Sequence, residues 1–337
     1  MKNRIMIVTF VFLSGFAACS DDGGSNGSVL SPASGTAVRL EGAIGLSTRG
    51  VIGSGYNEDL KVCFARQDET GVSQGTYGVW SVHRAVRTGG GGPRPIMFAQ
   101  SQTYPSDGRN IHLYGYYPAD SAEVVVSDAT SGKVTFTIDG KTDIMATGRL
   151  TASAGTAPGS PAPVEHCTFS HLLTQLSFVC YSDEADKWGK IVKIEATGYP
   201  AGIPLKQELD WSADVPLLTA VAGSPTGTLP IQEIAQDIPQ VNEGDTPPAA
   251  KGYILLPAPE GFGKPDNLLW LNIMTSKDGN GQEVETTKML YVTAPADGFK
   301  VGYQHIVSLF FTDGIGIEVT QVEVMPWMVQ DEPELPI

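Results

Sequence analysis

The feature that most constrains this chain is a recurrent period of two. Residues 133–139 set Val134, Phe136 and Ile138 on one side of an extended segment and Thr135, Thr137 and Asp139 on the other. Residues 60–64 and 192–196 repeat the pattern. Successive side chains leave a strand on opposite faces, so this alternation marks a half-buried strand. Further strand-like runs cover residues 111–117, 122–126, 176–181, 252–256, 268–274, 288–292, 306–311 and 315–324. Between them lie turn clusters such as Gly89-Gly90-Gly91-Gly92-Pro93, Ser106-Asp107-Gly108 and Lys277-Asp278-Gly279-Asn280-Gly281. Glycine supplies positive φ, proline fixes φ, and Asn or Asp bonds locally. No long helical periodicity interrupts the series, although residues 182–189 have room for one or two helical turns. Many short strands with frequent turns predict an all-β chain of the sandwich type.

Residues 153–163 are small and proline-rich, and they place a domain boundary near residue 160. The expected division is an N-terminal β-sandwich over 37–160 and a C-terminal β-sandwich over 161–337. The last run changes phase. Ile315, Ile317 and Val319 share one parity, whereas Val322 and Val324 share the other. Such a switch predicts a bulge or a change of partner.

The first residues read as an export signal. Lys2 and Arg4 precede an uncharged, mainly apolar run over 5–18. That run is short of the roughly 20 residues a spanning helix needs, and its length fits the core of a secretory signal peptide. It ends in Phe16-Ala17-Ala18-Cys19, which resembles the lipobox of bacterial lipoproteins. In that class cleavage precedes the cysteine, which is then acylated with palmitate-type chains. Cys19 is therefore the expected lipidation site, residues 1–18 the signal peptide, and residues 19–36 a Gly- and Ser-rich flexible tether. The cluster Ser20-Asp21-Asp22-Gly23 either resembles a surface-export signal or is a solvated linker.

Composition excludes several functions. The net charge of −15 argues against nucleic acid, which needs a basic surface. Without Cys19, three cysteines remain, an odd number: Cys63, Cys167 and Cys180. Cys63 and Cys180 sit in apolar runs and read as buried free thiols. His166 and His171 differ in parity, so a strand would point them to opposite faces, and no metal site is expected. His171 reads as a structural residue at a strand start. The Gly89–Gly92 run lacks the Lys-Ser/Thr ending of a phosphate loop, and no nucleophile elbow occurs. We expect no catalytic residue, no metal and no cofactor. Tyr114, Tyr116, Tyr117, Trp80 and Trp270 can stack on sugars, or serve as core and cross-strand partners.

Three stretches resemble the fimbrillin family, the subunits of type V pili. Ile111-His112-Leu113-Tyr114-Gly115-Tyr116-Tyr117-Pro118 is similar to its aromatic strand ending in Tyr-Pro. Asp143-Ile144-Met145-Ala146-Thr147-Gly148 is similar to its Asp-apolar-apolar-Ala segment. Phe169-Ser170-His171-Leu172-Leu173-Thr174-Gln175-Leu176-Ser177-Phe178 is similar to its Phe-x-His-x-Leu opening of the second domain. Their order and spacing match as well.

The resemblance implies two tandem transthyretin-like Greek-key sandwiches in a pilus subunit or surface adhesin. It implies a lipoprotein precursor at the outer membrane and cell surface, and a fimbrium built with other pilus subunits. Assembly in that family follows proteolysis behind the first strand, which then yields its place to a strand of another subunit. Here residues 37–45 would be that strand and Arg49 the processing site, with Arg39 as the alternative inside the strand itself. Residues 315–337 would supply either a donor strand or an ordinary last strand. The competing reading is a glycan-binding surface lipoprotein of a nutrient-uptake system.

Overall fold

Among the described residues every regular element but one short helix is a strand, as the period of two requires. The computed structural model describes residues 35–45, 52–53, 55–71, 75–120, 122–126, 131–155, 160–242, 244–312 and 316–326. Cys19, Arg49, residues 1–34 and the end of the expected donor segment, 327–337, lie outside the described residues. In chain order the first strands are β1 (Leu40–Ile44), β2 (Leu60–Asp68), β3 (Ser81–Arg87), β4 (Arg94–Phe98), β5 (Ile111–Tyr117), β6 (Ala122–Val126) and β7 (Gly132–Thr137). Next come β8 (Met145–Ala152), β9 (His166–His171), β10 (Thr174–Ser182), the one-turn helix α1 (Ala185–Trp188), β11 (Lys190–Tyr199), β12 (Ile203–Pro204), β13 (Lys206–Asp210) and β14 (Leu218–Ala220). The last are β15 (Thr226–Pro230), β16 (Gln236–Asp237), β17 (Lys251–Leu256), β18 (Leu268–Thr275), β19 (Thr286–Val292), β20 (Tyr303–Phe311) and β21 (Ile317–Pro326).

Seven strands close into a barrel in the order β1-β4-β3-β2-β5-β8-β9, the ring being completed by β9 against β1. Its interior holds Leu40, Ile44, Val62, Phe64, Ile96, Leu113 and Phe169, among others. A small sheet, β14-β13-β7-β6, covers part of the barrel's outer face. There Trp211 stacks on Tyr116 with ring centres 5.9 Å apart, and Trp80 packs against Trp211 at 5.7 Å. This explains why β5 is buried almost throughout. Ile111 and Leu113 point into the barrel, while Tyr114 and Tyr116 point into the layer beneath the small sheet. A strand buried on both faces reads as a continuous apolar run rather than an alternation.

The rest of the chain forms two sheets, β17-β10-β20-β21 and β12-β15-β11-β18-β19, with β16 also paired to β11. Leu176, Phe178, Ile194, Leu271, Val307 and Leu309 fill the core between them. Trp188 of α1 is buried there and donates its indole N–H to the Thr312 carbonyl at 2.9 Å. The phase change in the last strand is a bulge. Ser308 pairs with Gln321, but Leu309 pairs with Val319, so Thr320 is the extra residue. Strands from either side of residue 160 share the small sheet, where β13 pairs with β7 from Lys206↔Thr137 to Asp210↔Lys133.

Candidate functional site

The site follows from the position of β1. Alternation over residues 38–44 buries Val38, Leu40, Gly42 and Ile44 and leaves Arg39 and Glu41 exposed, with Ala43 half-buried. The apolar set therefore faces the barrel core. On one side β1 runs antiparallel to β4, with Leu40↔Ile96, Glu41↔Pro95 and Gly42↔Arg94. On the other it runs parallel to β9, with Glu41↔His166, Gly42↔Cys167, Ala43↔Thr168 and Ile44↔Phe169. Beyond the paired residues, Val38 N–H donates to the Gln102 carbonyl and Gly45 N–H to the Phe169 carbonyl, each at 2.8 Å. Thus β1 is the stave that closes the ring between β4 and β9.

Burying Val38, Leu40 and Ile44 contributes roughly 1.5–3 kcal/mol each to holding the stave in place. An open cleft of about 530 Å³ runs along its outer side, between Arg39 and Glu41, Pro95 and Met97, and Glu165 and His166. Arg39 is exposed but lies within the bonded segment, directly after Val38. The preferred processing residue, Arg49, belongs to residues 46–50, outside the described residues.

Two groups behind the stave had no clear signal in the sequence. Arg87, on β3, is fully buried. Its Nε–H donates to the Gly42 carbonyl of β1 at 2.8 Å, and its other donors reach the carbonyls of Thr88 at 3.2 Å, Gly90 at 3.0 Å and Gly92 at 2.8 Å. Burial pushes its pKa down, and the nearby Arg94 adds to the effect. The four-glycine run is thus a cradle of carbonyls for a buried cation. Gly90 and Gly92 have positive φ, 112° and 69°, which glycine adopts without steric cost and which turns their carbonyls toward the guanidinium. Cys167, opposite Gly42, is buried, and burial pushes its thiol up to about 12.

The remaining expected residues are placed as follows. Cys63, Cys167 and Cys180 are all buried free thiols. His166 is exposed and His171 buried, on opposite faces of β9 as parity requires. Trp80, Tyr114 and Tyr116 are core residues, and Tyr117 is half-buried. Trp270 differs from these. It lies half-buried between two exposed rings, Tyr199 at 5.9 Å and Tyr291 at 6.0 Å, across β11, β18 and β19.

Comparison with known proteins follows the same lines. The sequence model of the family described as fimbrillin-like matches residues 55–327. Among solved structures, the chain is similar to a candidate cell-adhesion protein from Bacteroides uniformis, with a TM-score of 0.53 and 15% identity over 88% of this chain and 100% of that one. It is similar to a second candidate cell-adhesion protein, from Bacteroides ovatus, with a TM-score of 0.51 and 14% identity over 88% and 99%. A fimbrial protein from Bacteroides vulgatus gives a TM-score of 0.50 and 12% identity over 86% and 99%. At these identities the likeness is one of fold. No curated protein matches the sequence.

Proposed function

Because the chain belongs to the fimbrillin-like family, we propose that it is a structural subunit of a surface fibre or adhesin rather than an enzyme. In this reading it is exported as a lipoprotein acylated at Cys19 and held at the outer membrane. Two or more acyl chains make such anchoring stable, each buried methylene contributing about 0.8 kcal/mol. A protease then cuts after Arg49, β1 departs, and a strand of another pilus subunit takes its place. Residues 37–160 and 161–337 are read as two transthyretin-like Greek-key sandwiches, with β9 lent to the first and β13–β14 to its cover. Residues 315–337 are read as the strand donated onward to a further subunit.

The single observation that carries this reading is that β1, next to the chain's N-terminal segment, closes the barrel between two strands. Its removal leaves unpaired edges on β4 and β9 above a row of apolar pockets, which is a template for β-augmentation. Fimbrial and cell-adhesion proteins of similar fold support a place at the cell surface.

The test is electron microscopy of filaments from producing cells, with mass spectrometry of their subunits. Incorporated chains are expected to begin at Gly50. Arg49→Ala should exclude the chain from filaments, and Arg39→Ala should not. Incorporation of the Arg49→Ala chain with residues 37–45 still attached would overturn the cleavage assignment.

The second reading, a glycan-binding lipoprotein, is favoured by one observation, the surface row of Tyr199, Trp270 and Tyr291.

A further inference from the structure

A buried arginine ordinarily sits against a carboxylate. Among the described residues, Arg87 has only backbone carbonyls as partners, and one of the four belongs to the removable stave. Thr88, Gly90 and Gly92 lie on its own loop and stay when β1 leaves. The Gly42 carbonyl goes. The Nε–H that it accepted then faces the opened slot, and a strand that closes the slot again must offer it an acceptor or leave a buried charged donor unsatisfied.

The same point of the stave is sterically closed. A Cβ on Gly42 would lie 2.8 Å from Ile96 Cδ1 and 3.3 Å from Phe169 Cε2. A side chain there forces the far end of Ile96 to turn away and the buried ring of Phe169 to give by a few tenths of an ångström.

We propose that Arg87 and the Ile96–Phe169 wall form a register lock: a strand filling the β1 slot must turn a carbonyl to Arg87 and carry glycine at that position. The proposal rests on the reading that β1 is replaced by another strand. It also names the partner's chemistry. The donor repeats the spacing of Val38, Leu40, Gly42 and Ile44, two aliphatic residues, then glycine, then a third aliphatic residue, at alternate positions. In the donor segment 315–337 the one glycine is Gly316, whose alternate neighbours are Gly314 and Glu318 rather than aliphatic residues, so the spacing is not repeated. A second copy offering that stretch in any other register brings a side chain to the point where a Cβ already collides. The slot therefore selects a strand from a different kind of subunit.

The test uses the full chain with one engineered endoprotease site between Gly45 and Ile52, and fluorescent peptides based on residues 36–48. After cutting, uptake is read by anisotropy. The native peptide is expected to enter, and its Gly42→Val form to bind about tenfold more weakly or worse. Ile96→Ala in the protein should bring that ratio back to within about threefold. Arg87→Met should weaken uptake of the native peptide about tenfold while leaving its preference for glycine at position 42, which the Ile96–Phe169 wall sets. If Arg87→Met does not fold, Arg87→Lys, which keeps the charge but not the fork, serves instead. A peptide of residues 317–329 should not enter the parent protein. Equal uptake of the native and Gly42→Val peptides, or undiminished uptake of the native peptide by the Arg87 variant, overturns the lock. If no peptide enters, strand replacement fails, and the lock is read in the uncut chain by amide hydrogen exchange. There Gly42→Val should speed exchange across residues 38–44 about tenfold, and Ile96→Ala should reverse it. Unchanged exchange overturns the lock independently.

Discussion

Asp143 and His171 meet at 2.6 Å, Oδ2 against Nδ1, with each side chain only 2% exposed. Asp143 precedes β8 and His171 ends β9, which pair through Met145↔His171 and Ala146↔Ser170. The Leu172 N–H donates to the Ile144 carbonyl beside them at 2.8 Å. The pair fastens the last two staves where the chain passes into β10. Removing one partner of a buried hydrogen bond costs about 1–3 kcal/mol. Asp143→Ala should lose that much in urea unfolding. Asp143→Asn should lose less, since its carbonyl still accepts. A loss below about 1 kcal/mol for Asp143→Ala would show that the pair does not hold the junction.

Stability should fall as the pH drops from about 6.5 to about 4. His305 is fully buried against Thr174, and His112 is buried with its ring stacked on Tyr77. Burial is the main cause that lowers both to about 4. In the unfolded chain each imidazole binds its proton near 6.5, while the folded chain refuses it until about 4. The stability present above 6.5 is therefore lost across that window, at about 1.4 kcal/mol per pH unit for each histidine. Urea midpoints measured over the window should slope accordingly, and His305→Gln should reduce the slope. A flat profile would contradict the placement of both rings.

Cys167 should report departure of the stave. It lies under Gly42, and its high pKa keeps it protonated and inert near neutral pH. Intact chain should leave it unlabelled by a thiol reagent. After cleavage and loss of residues 37–45, peptide mapping should find it labelled, with Cys180, deep in the other core, still protected. Equal labelling of Cys167 before and after would count against exposure of the slot.

Cys19→Ala should abolish incorporation of labelled fatty acid and release the protein from membranes. Undiminished labelling of that variant would reject Cys19 as the acceptor.

The row of Tyr199, Trp270 and Tyr291 separates the two functional readings. If the protein binds glycans, the unprocessed monomer should give a hit on an array, weakened by about 1–2 kcal/mol in Tyr291→Ala through loss of ring contact. If the row only shields the sheet, no sugar binds and the same variant changes nothing but local stability.

Much of the fold was legible because alternation survives wherever one face of a strand is wet. Residues 133–139, 192–196 and 268–274 all become strands, as do the other predicted runs. The bulge at Thr320 was legible as a change of parity. β4 and β8 were not, because Pro95, Gly148 and Arg149 break the pattern and their pairing is fixed by neighbours distant in sequence. Nor was Arg87. An arginine before four glycines reads as a charged turn, and only closure of the barrel shows that the turn folds back over the guanidinium. The carboxylate opposite His171 was hidden for the same reason, since 28 residues separate the partners.

The stave has unlike neighbours, antiparallel β4 on one side and parallel β9 on the other. Evenly slanted and alternately spaced bonds are not interchangeable. A strand inserted backwards would have to swap the two patterns and would turn its carbonyls away from Arg87. Insertion consequently has a direction. If a donor strand replaces β1 as proposed, subunits joined through such slots would all point the same way, in a head-to-tail contact. A fibre built that way would have chemically distinct ends, one presenting an empty slot and the other an unspent strand, and could lengthen at one end while the other stayed fixed to the cell.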